Sequence, residues 1–334
     1  MKNKLSFWLK LVLVLACIAL VIKTIQDLGP ARVWAAAQGA DPLLLLACVG
    51  ALLLRFGTWC LKWRAMMARR YKLPHFFVFR LILANGFINL YTPTAKIGGG
   101  LLRGLALKRR CNTTFTVGYG LVLADQVTHF LGKMLLFGFL MIPAYPILDK
   151  LGYGIYAPIL ASLCFLVTLI WFPARKRIWQ WAEKESSGAF LKKWAEKFNS
   201  KDRQIAVNDG WTNRLFGPLL QPQAKWYTVL GNDIGVSTIS FAIFCWSNAL
   251  VLQSLGVDAP AATVFLVVML GYLAGSMLGL MGGIGVTELF MIELYTLGGV
   301  PGEVAAAAAL LHRGIFYLFM LVLGGACTLK EFRS

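Results

Sequence analysis

Charge is what this sequence is poorest in: Asp, Glu, Lys and Arg make up 14% of 334 residues, whereas 58% are hydrophobic. Soluble domains carry roughly 25% charged residues, so a water-facing fold is excluded and the chain belongs to the helical membrane class. Histidine is nearly missing, with three residues, and the seven cysteines (Cys17, Cys48, Cys60, Cys111, Cys164, Cys245, Cys327) stand singly without a CxxC pair. A metal centre therefore lacks ligands, no cofactor is implied, and the cysteines read as small apolar packing residues. No P-loop occurs, which leaves no ATP-driven step. Acidic residues are also few, 15 against 33 basic, for a net charge of +18. Because the basic residues fall between apolar runs, the excess sets topology and suits anionic inner-leaflet lipids; no nucleic acid is implied.

What is present is a series of apolar runs. Leu9 to Gln26, Leu43 to Leu61, Thr116 to Ile142, Ile155 to Phe172, Tyr227 to Leu252 and Val304 to Ala326 each approach the ~20 residues that cross ~30 Å of hydrocarbon. Met1-Lys2-Asn3-Lys4 ahead of Leu11 to Ile22 resembles a signal peptide. The run continues past Cys17, however, and an uncleaved first helix is expected. Two further regions, about 76–107 and about 261–297, hold shorter apolar pieces on either side of a glycine-rich break, Lys96-Ile97-Gly98-Gly99-Gly100 and Gly282-Gly283-Ile284-Gly285. Irregular backbone at membrane depth survives only where it is buried in protein or lines a cavity, and paired breaks of this kind mark transporter binding sites.

Basic clusters orient the segments. Lys2, Lys4 and Lys10 put the N-terminus inside; Lys62, Arg64, Arg69, Arg70 and Lys72, then Lys108, Arg109 and Arg110, flank the first glycine region on the same side. That region should enter and leave from the cytoplasm. No Lys or Arg occurs between Lys225 and Arg313, and Asp258 and Glu303 flank the second region, which suits entry from outside. The expected fold is an all-α polytopic membrane protein with about six full transmembrane helices and two re-entrant helical hairpins in an inverted-topology repeat. The whole chain, 1–334, is then one integral membrane domain: a first half at 1–173, a basic linker at 174–226 and a second half at 227–334. In the linker, Ile178, Trp181, Phe190, Trp194 and Phe198 interleave with Lys192, Lys193 and Lys197. This pattern fits either an amphipathic helix on the cytoplasmic leaflet or a plain connection.

Each charge inside a membrane costs about 2.5 to 3.5 kcal/mol even on mild scales and asks for a reason. Arg55 and Arg80 lie near segment ends and are expected to snorkel to the surface. Asp125, His129 and Lys133 share one helix face at i, i+4, i+8, as an ion pair or a proton relay. Arg103 follows the first glycine break and Glu288 the second, while the next spans carry Asp125 and His312-Arg313, so the signs are exchanged between halves. The four are expected to pair across the repeat interface, freeing Arg103 or Arg313 for an anionic head group in one conformation. Gly98, Gly99 and Gly100, and Gly282, Gly283 and Gly285, allow φ > 0 turns and close approach of backbone amides to phosphate. Helices starting at Leu101 and Val286 would aim positive dipole ends at the same point. Asn85, Asn89, Tyr91 and Thr92 add neutral groups beside the first tip. The substrate-binding set is thus Arg103, Arg313, Glu288, Asp125, His129, Asn89, Tyr91 and Lys96, with no catalytic residue assigned.

Around these residues the chain resembles the lysylphosphatidylglycerol synthase transmembrane-region family, the flippase-like membrane domain of multiple peptide resistance factors. The resemblance rests on Asn89-Leu90-Tyr91-Thr92-Pro93 leading to Gly98-Gly99-Gly100-Leu101-Leu102-Arg103, with Lys108-Arg109-Arg110 after it. It rests also on Gly282-Gly283-Ile284-Gly285-Val286-Thr287-Glu288, then Gly299-Val300 and Leu310-Leu311-His312-Arg313. It implies a membrane domain with re-entrant hairpins that moves a polar-headed lipid (anionic, aminoacylated or isoprenoid-type) between leaflets of a bacterial cytoplasmic membrane, with both termini inside. Two departures, Gly100 where an acidic residue commonly follows the glycines and Gln126 where Arg commonly follows Asp125, separate this chain from the lysyl-lipid pattern. Two other classes stay open: an integral-membrane head-group transferase with Glu288 or Asp125 as base and His129 as acid, and an accessory subunit of a lipid-synthesis complex. A second copy of the chain, in a homo-oligomer, is a further candidate partner.

Overall fold

The computed structural model describes residues 2–92, 97–150, 152, 154–185, 217–221, 223–277 and 281–333. Among them the chain is helical throughout, with no strand. Lys2–Leu28 (α1) and the short Pro30–Gln38 (α2) meet at Gly29, whose φ of 87° turns the chain ahead of a proline in the first helical turn. Pro42–Ala68 (α3) starts the same way, and its N-cap Asp41 accepts a 2.8 Å hydrogen bond from the Leu43 amide. His75–Tyr91 (α4) and Ile97–Cys111 (α5) follow, then Phe115–Lys150 (α6) and Tyr156–Glu185 (α7). The second half holds Trp226–Ser254 (α8), Ala261–Met277 (α9), Val286–Leu297 (α10) and Gly302–Phe319 (α11). A π-helical turn, Met320–Gly324, carries α11 on into Gly325–Arg333 (α12). Among the described residues, five segments are long and apolar enough to cross a membrane: all of α3 and α8, most of α6 and α7, and α11 with its continuation to Glu331. The protein is an all-α polytopic membrane protein.

Two boundaries moved. α7 runs through Pro173 to Glu185, into the stretch assigned to the linker; residues 186–216, with Phe190, Lys192, Lys193, Trp194, Lys197 and Phe198, lie outside the described residues. α3 extends past Leu61 to Ala68, so Arg55 sits at its middle and not near an end.

The α4–α5 and α9–α10 pairs are packed hairpins whose arms are too short to span: 17 and 15 residues, then 17 and 12. At about 1.5 Å per residue, each arm covers less than the ~30 Å core. The spans that open the two halves, α3 and α8, lie antiparallel along their length. The Asp41 amide donates to Ser254 O (2.8 Å) at one end, Ser240 Oγ donates to Arg55 O (3.1 Å) midway, and Arg69 grips Asp233 (2.8 and 3.0 Å) at the other. That is the relation an inverted repeat requires of its equivalent spans.

The hairpin tips converge at mid-length of the α11–α12 rod. Tyr91, closing α4, donates its hydroxyl to Tyr317 O at 2.8 Å, and Arg313 Nη2 donates to Gly282 O at 2.8 Å. Gly282 also lies against Leu90, so the second tip touches the end of α4. Arg80, near the base of α4, does not snorkel but pairs with Glu331 of α12 at 3.1 Å.

Close approach dictates Gly99. A Cβ there would stand 2.5 Å from Asn85 O and 2.8 Å from Asn89 Oδ1, the group that accepts the Gly99 amide at 3.0 Å. Gly99→Ala is therefore expected to cost about 1–3 kcal/mol by overpacking, read as a lowered unfolding temperature in detergent. Gly57→Ala, where an added Cβ meets nothing within 4 Å, should be neutral or slightly stabilising.

Candidate functional site

Each half builds one buried ion-pair cluster, joining the second arm of its hairpin to the span that follows. In the first, Asp125 of α6 takes Arg103 Nη1 of α5 at 2.6 Å on Oδ2 and Lys62 Nζ of α3 at 2.8 Å on Oδ1. Trp59 Nε1 adds a 3.1 Å bond to Oδ2, and Lys62 Nζ also donates to the Asp125 carbonyl at 3.1 Å. Arg103, Lys62 and Asp125 are each at most 1% exposed. The Arg103 guanidinium lies over the Trp63 and Trp59 rings, 4.8 and 5.6 Å from their centroids. A guanidinium over aromatic rings gains a cation–π attraction, for which arginine is used more often than lysine.

In the second cluster, Arg313 of α11 donates Nε to Glu288 Oε1 at 2.7 Å, and Glu288 Oε2 accepts the Gly285 amide at 2.8 Å. Glu288 thus caps the start of α10, where a carboxylate also suits the helix dipole. The remaining Arg313 donors reach Tyr272 Oη (3.2 Å), Gly282 O and Tyr317 Oη (2.5 Å), so one guanidinium fastens α9, the second tip and its own helix together. His312, beside it, shares a 2.9 Å bond with Ser247 of α8.

The exchanged signs are therefore real, but the pairing expected across the repeat interface is replaced by pairing within each half: Arg103 with Asp125, Glu288 with Arg313. The reason is geometric, because each hairpin's second arm packs on the span that directly follows it. The Asp125, His129, Lys133 face does look inward. His129 stacks on Trp59 (5.4 Å between centroids) and Lys133 lies over Phe241 at 4.9 Å, but the lysine on Asp125 is Lys62.

Asn89 closes the first hairpin and Tyr91 ties it to α11, as given above. Gly98, Gly99 and Gly100 do not make the expected φ > 0 turn: they lie in the first turn of α5, which starts at Ile97 and not at Leu101, because helix packing against Asn85 and Asn89 needs the small size of Gly99, whereas Gly282, Gly283 and Gly285 have φ of 56°, 73° and 82°. Lys96, Pro93 and their neighbours at 93–96 lie outside the described residues. Sequence reasoning missed Lys62, Trp59 and Trp63. The signal available was spacing, since Trp59 and Trp63 lie at i, i+4 on one face of α3 with Lys62 beside them.

Arg55 is the other departure. Its guanidinium stands among Phe244, Phe56 and Phe316, 4.0, 5.2 and 5.7 Å from their centroids, and its Nε and Nη1 are buried without a hydrogen-bond partner.

The model of the lysylphosphatidylglycerol synthase TM region matches residues 7–324. Two UPF0104 membrane proteins of Methanothermobacter thermautotrophicus are each 23% identical to the chain, over 321 and 327 residues; these cover 92% and 94% of it and 89% and 93% of the relatives. A UPF0104 membrane protein of Pyrococcus horikoshii is 24% identical over 293 residues, 86% of this chain and 85% of that one. With the match running almost from end to end and both glycine-tipped hairpins inside it, the chain belongs to the lysylphosphatidylglycerol synthase transmembrane-region family.

Proposed function

We propose that this protein moves a polar-headed, anionic lipid between the leaflets of the cytoplasmic membrane in which it spans. The observation that carries the reading is the meeting of two short hairpins at mid-length of the α11–α12 rod, beside an interior whose cations outnumber its carboxylates. Arg55, Lys62, Arg103 and Arg313 stand there with Asp125 and Glu288, so the local Coulomb balance favours an anion. Hairpins that reach the middle from opposite sides suit a gate that opens to one leaflet at a time. The transferase reading finds less support, because Asp125 and Glu288, its two bases, are both engaged by buried cations.

The test is leaflet transfer of labelled anionic, aminoacylated and isoprenoid lipids in proteoliposomes holding the purified chain. Faster transfer of an anionic class is expected. Equal, slow movement of every class with folded protein would reject the reading.

A further inference from the structure

We infer that Arg55 is an anion-binding site for a phosphate group, separate from the Arg103 and Arg313 clusters; it rests on the transport reading only for the idea that a lipid supplies that phosphate. Arginine at mid-span normally answers a carboxylate, and both carboxylates at this depth are spent. Asp125 uses both oxygens on Lys62 and Arg103, and Glu288 uses both on Arg313 and the Gly285 amide. The Ser240 hydroxyl of α8 donates to the Arg55 carbonyl and not to the guanidinium.

Buried donors almost always have partners, so Nε and Nη1, on opposite sides of the guanidinium, are donors held for a group the chain does not itself supply. The rings decide what that group is. Phe244 at 4.0 Å, with Phe56 and Phe316 further out, occupies the space over the guanidinium, so binding falls to its N–H edges. Each of the two shares an edge with Nη2, and forked donation along either edge matches the oxygens of a phosphate. Trp59, one turn along α3, is held by Asp125 and stacks on His129, and is one of the eleven tryptophans whose fluorescence a titration reads.

The experiment titrates the purified full chain in neutral detergent with dihexanoyl phosphatidylglycerol and, separately, with inorganic phosphate, following calorimetry and Trp fluorescence. Saturable binding is expected, weakened about tenfold or more in Arg55→Gln and clearly weakened in Arg55→Lys, which keeps the charge but loses the fork. Arg32→Gln, on the exposed face of α2, should bind as wild type. Should Arg55→Gln not fold, Arg55→Lys decides, binding more weakly. Arg55-dependent binding of the lipid alone identifies a head-group site, and of phosphate alone a free-anion site; either supports the inference. Wild-type affinity in the Arg55 variants, or no binding of either probe by the wild type, overturns it. Arg55-dependent binding without leaflet transfer would reject the transport reading and leave the site standing. Transfer with Arg55-independent binding would do the reverse.

Discussion

Asp125→Asn is expected to destabilise the protein by at least about 3–5 kcal/mol, the range for removing one partner of a buried ion pair. The neutral amide would leave Lys62 and Arg103, both essentially unexposed, without the carboxylate they share. Fluorescence-detected size exclusion and thermal unfolding in detergent should show loss of the monodisperse peak or a large fall in unfolding temperature. Lys62→Met should be milder, because Asp125 keeps Arg103 and the Trp59 bond. A combined Asp125→Leu, Lys62→Met, Arg103→Met variant should recover much of the loss, since apolar replacement of a whole buried charge group is often neutral or better. A full-strength fold in Asp125→Asn alone would mean that the cluster is not closed to water.

Arg313→Ala carries the second large effect, again about 3–5 kcal/mol, for the same electrostatic reason with Glu288 as the stranded charge. It differs in being local as well. Arg313 alone links Glu288, Gly282 O and the hydroxyls of Tyr272 and Tyr317, so its loss should free the second tip before the spans separate. Hydrogen exchange should accelerate at 281–288 well beyond any change in α3 or α8. Arg313→Lys should recover little, because one ammonium cannot reach acceptors on three sides. Glu288→Gln should be the gentler change, as the amide oxygen can still accept the Gly285 amide.

The hairpins were legible because two independent signals agreed, glycine breaks within apolar runs and the placement of Lys and Arg around them. Legible too were the charged residues that matter, Arg103, Asp125, Glu288 and Arg313, since charge inside an apolar run is rare enough to stand out. Their partners were not. Sequence order cannot tell pairing within a half from pairing between halves, and only the packing of α5 on α6 and of α10 on α11 decides it. Lys62 was taken for a topology marker because it sits where an apolar run ends; α3 in fact continues to Ala68 and turns Lys62 onto Asp125. Arg55 was misplaced by the same shortened helix. Both errors come from reading a helix end from hydropathy, when polar residues that face a buried cluster extend a span beyond its apolar run.

The exchange of signs between the halves bears on how the chain assembles. Two hairpins of similar length, each inserting beside a span, invite the wrong partnership while the polypeptide enters the bilayer. Had both halves carried a cation on the hairpin and an anion on the span, either hairpin would have satisfied either span. As built, a first hairpin docked on α11 would bring Arg103 to Arg313, and a second docked on α6 would bring Glu288 to Asp125, like against like in a medium of low dielectric. The reversed polarity acts as an address, admitting each hairpin to its own half and turning it away from the other.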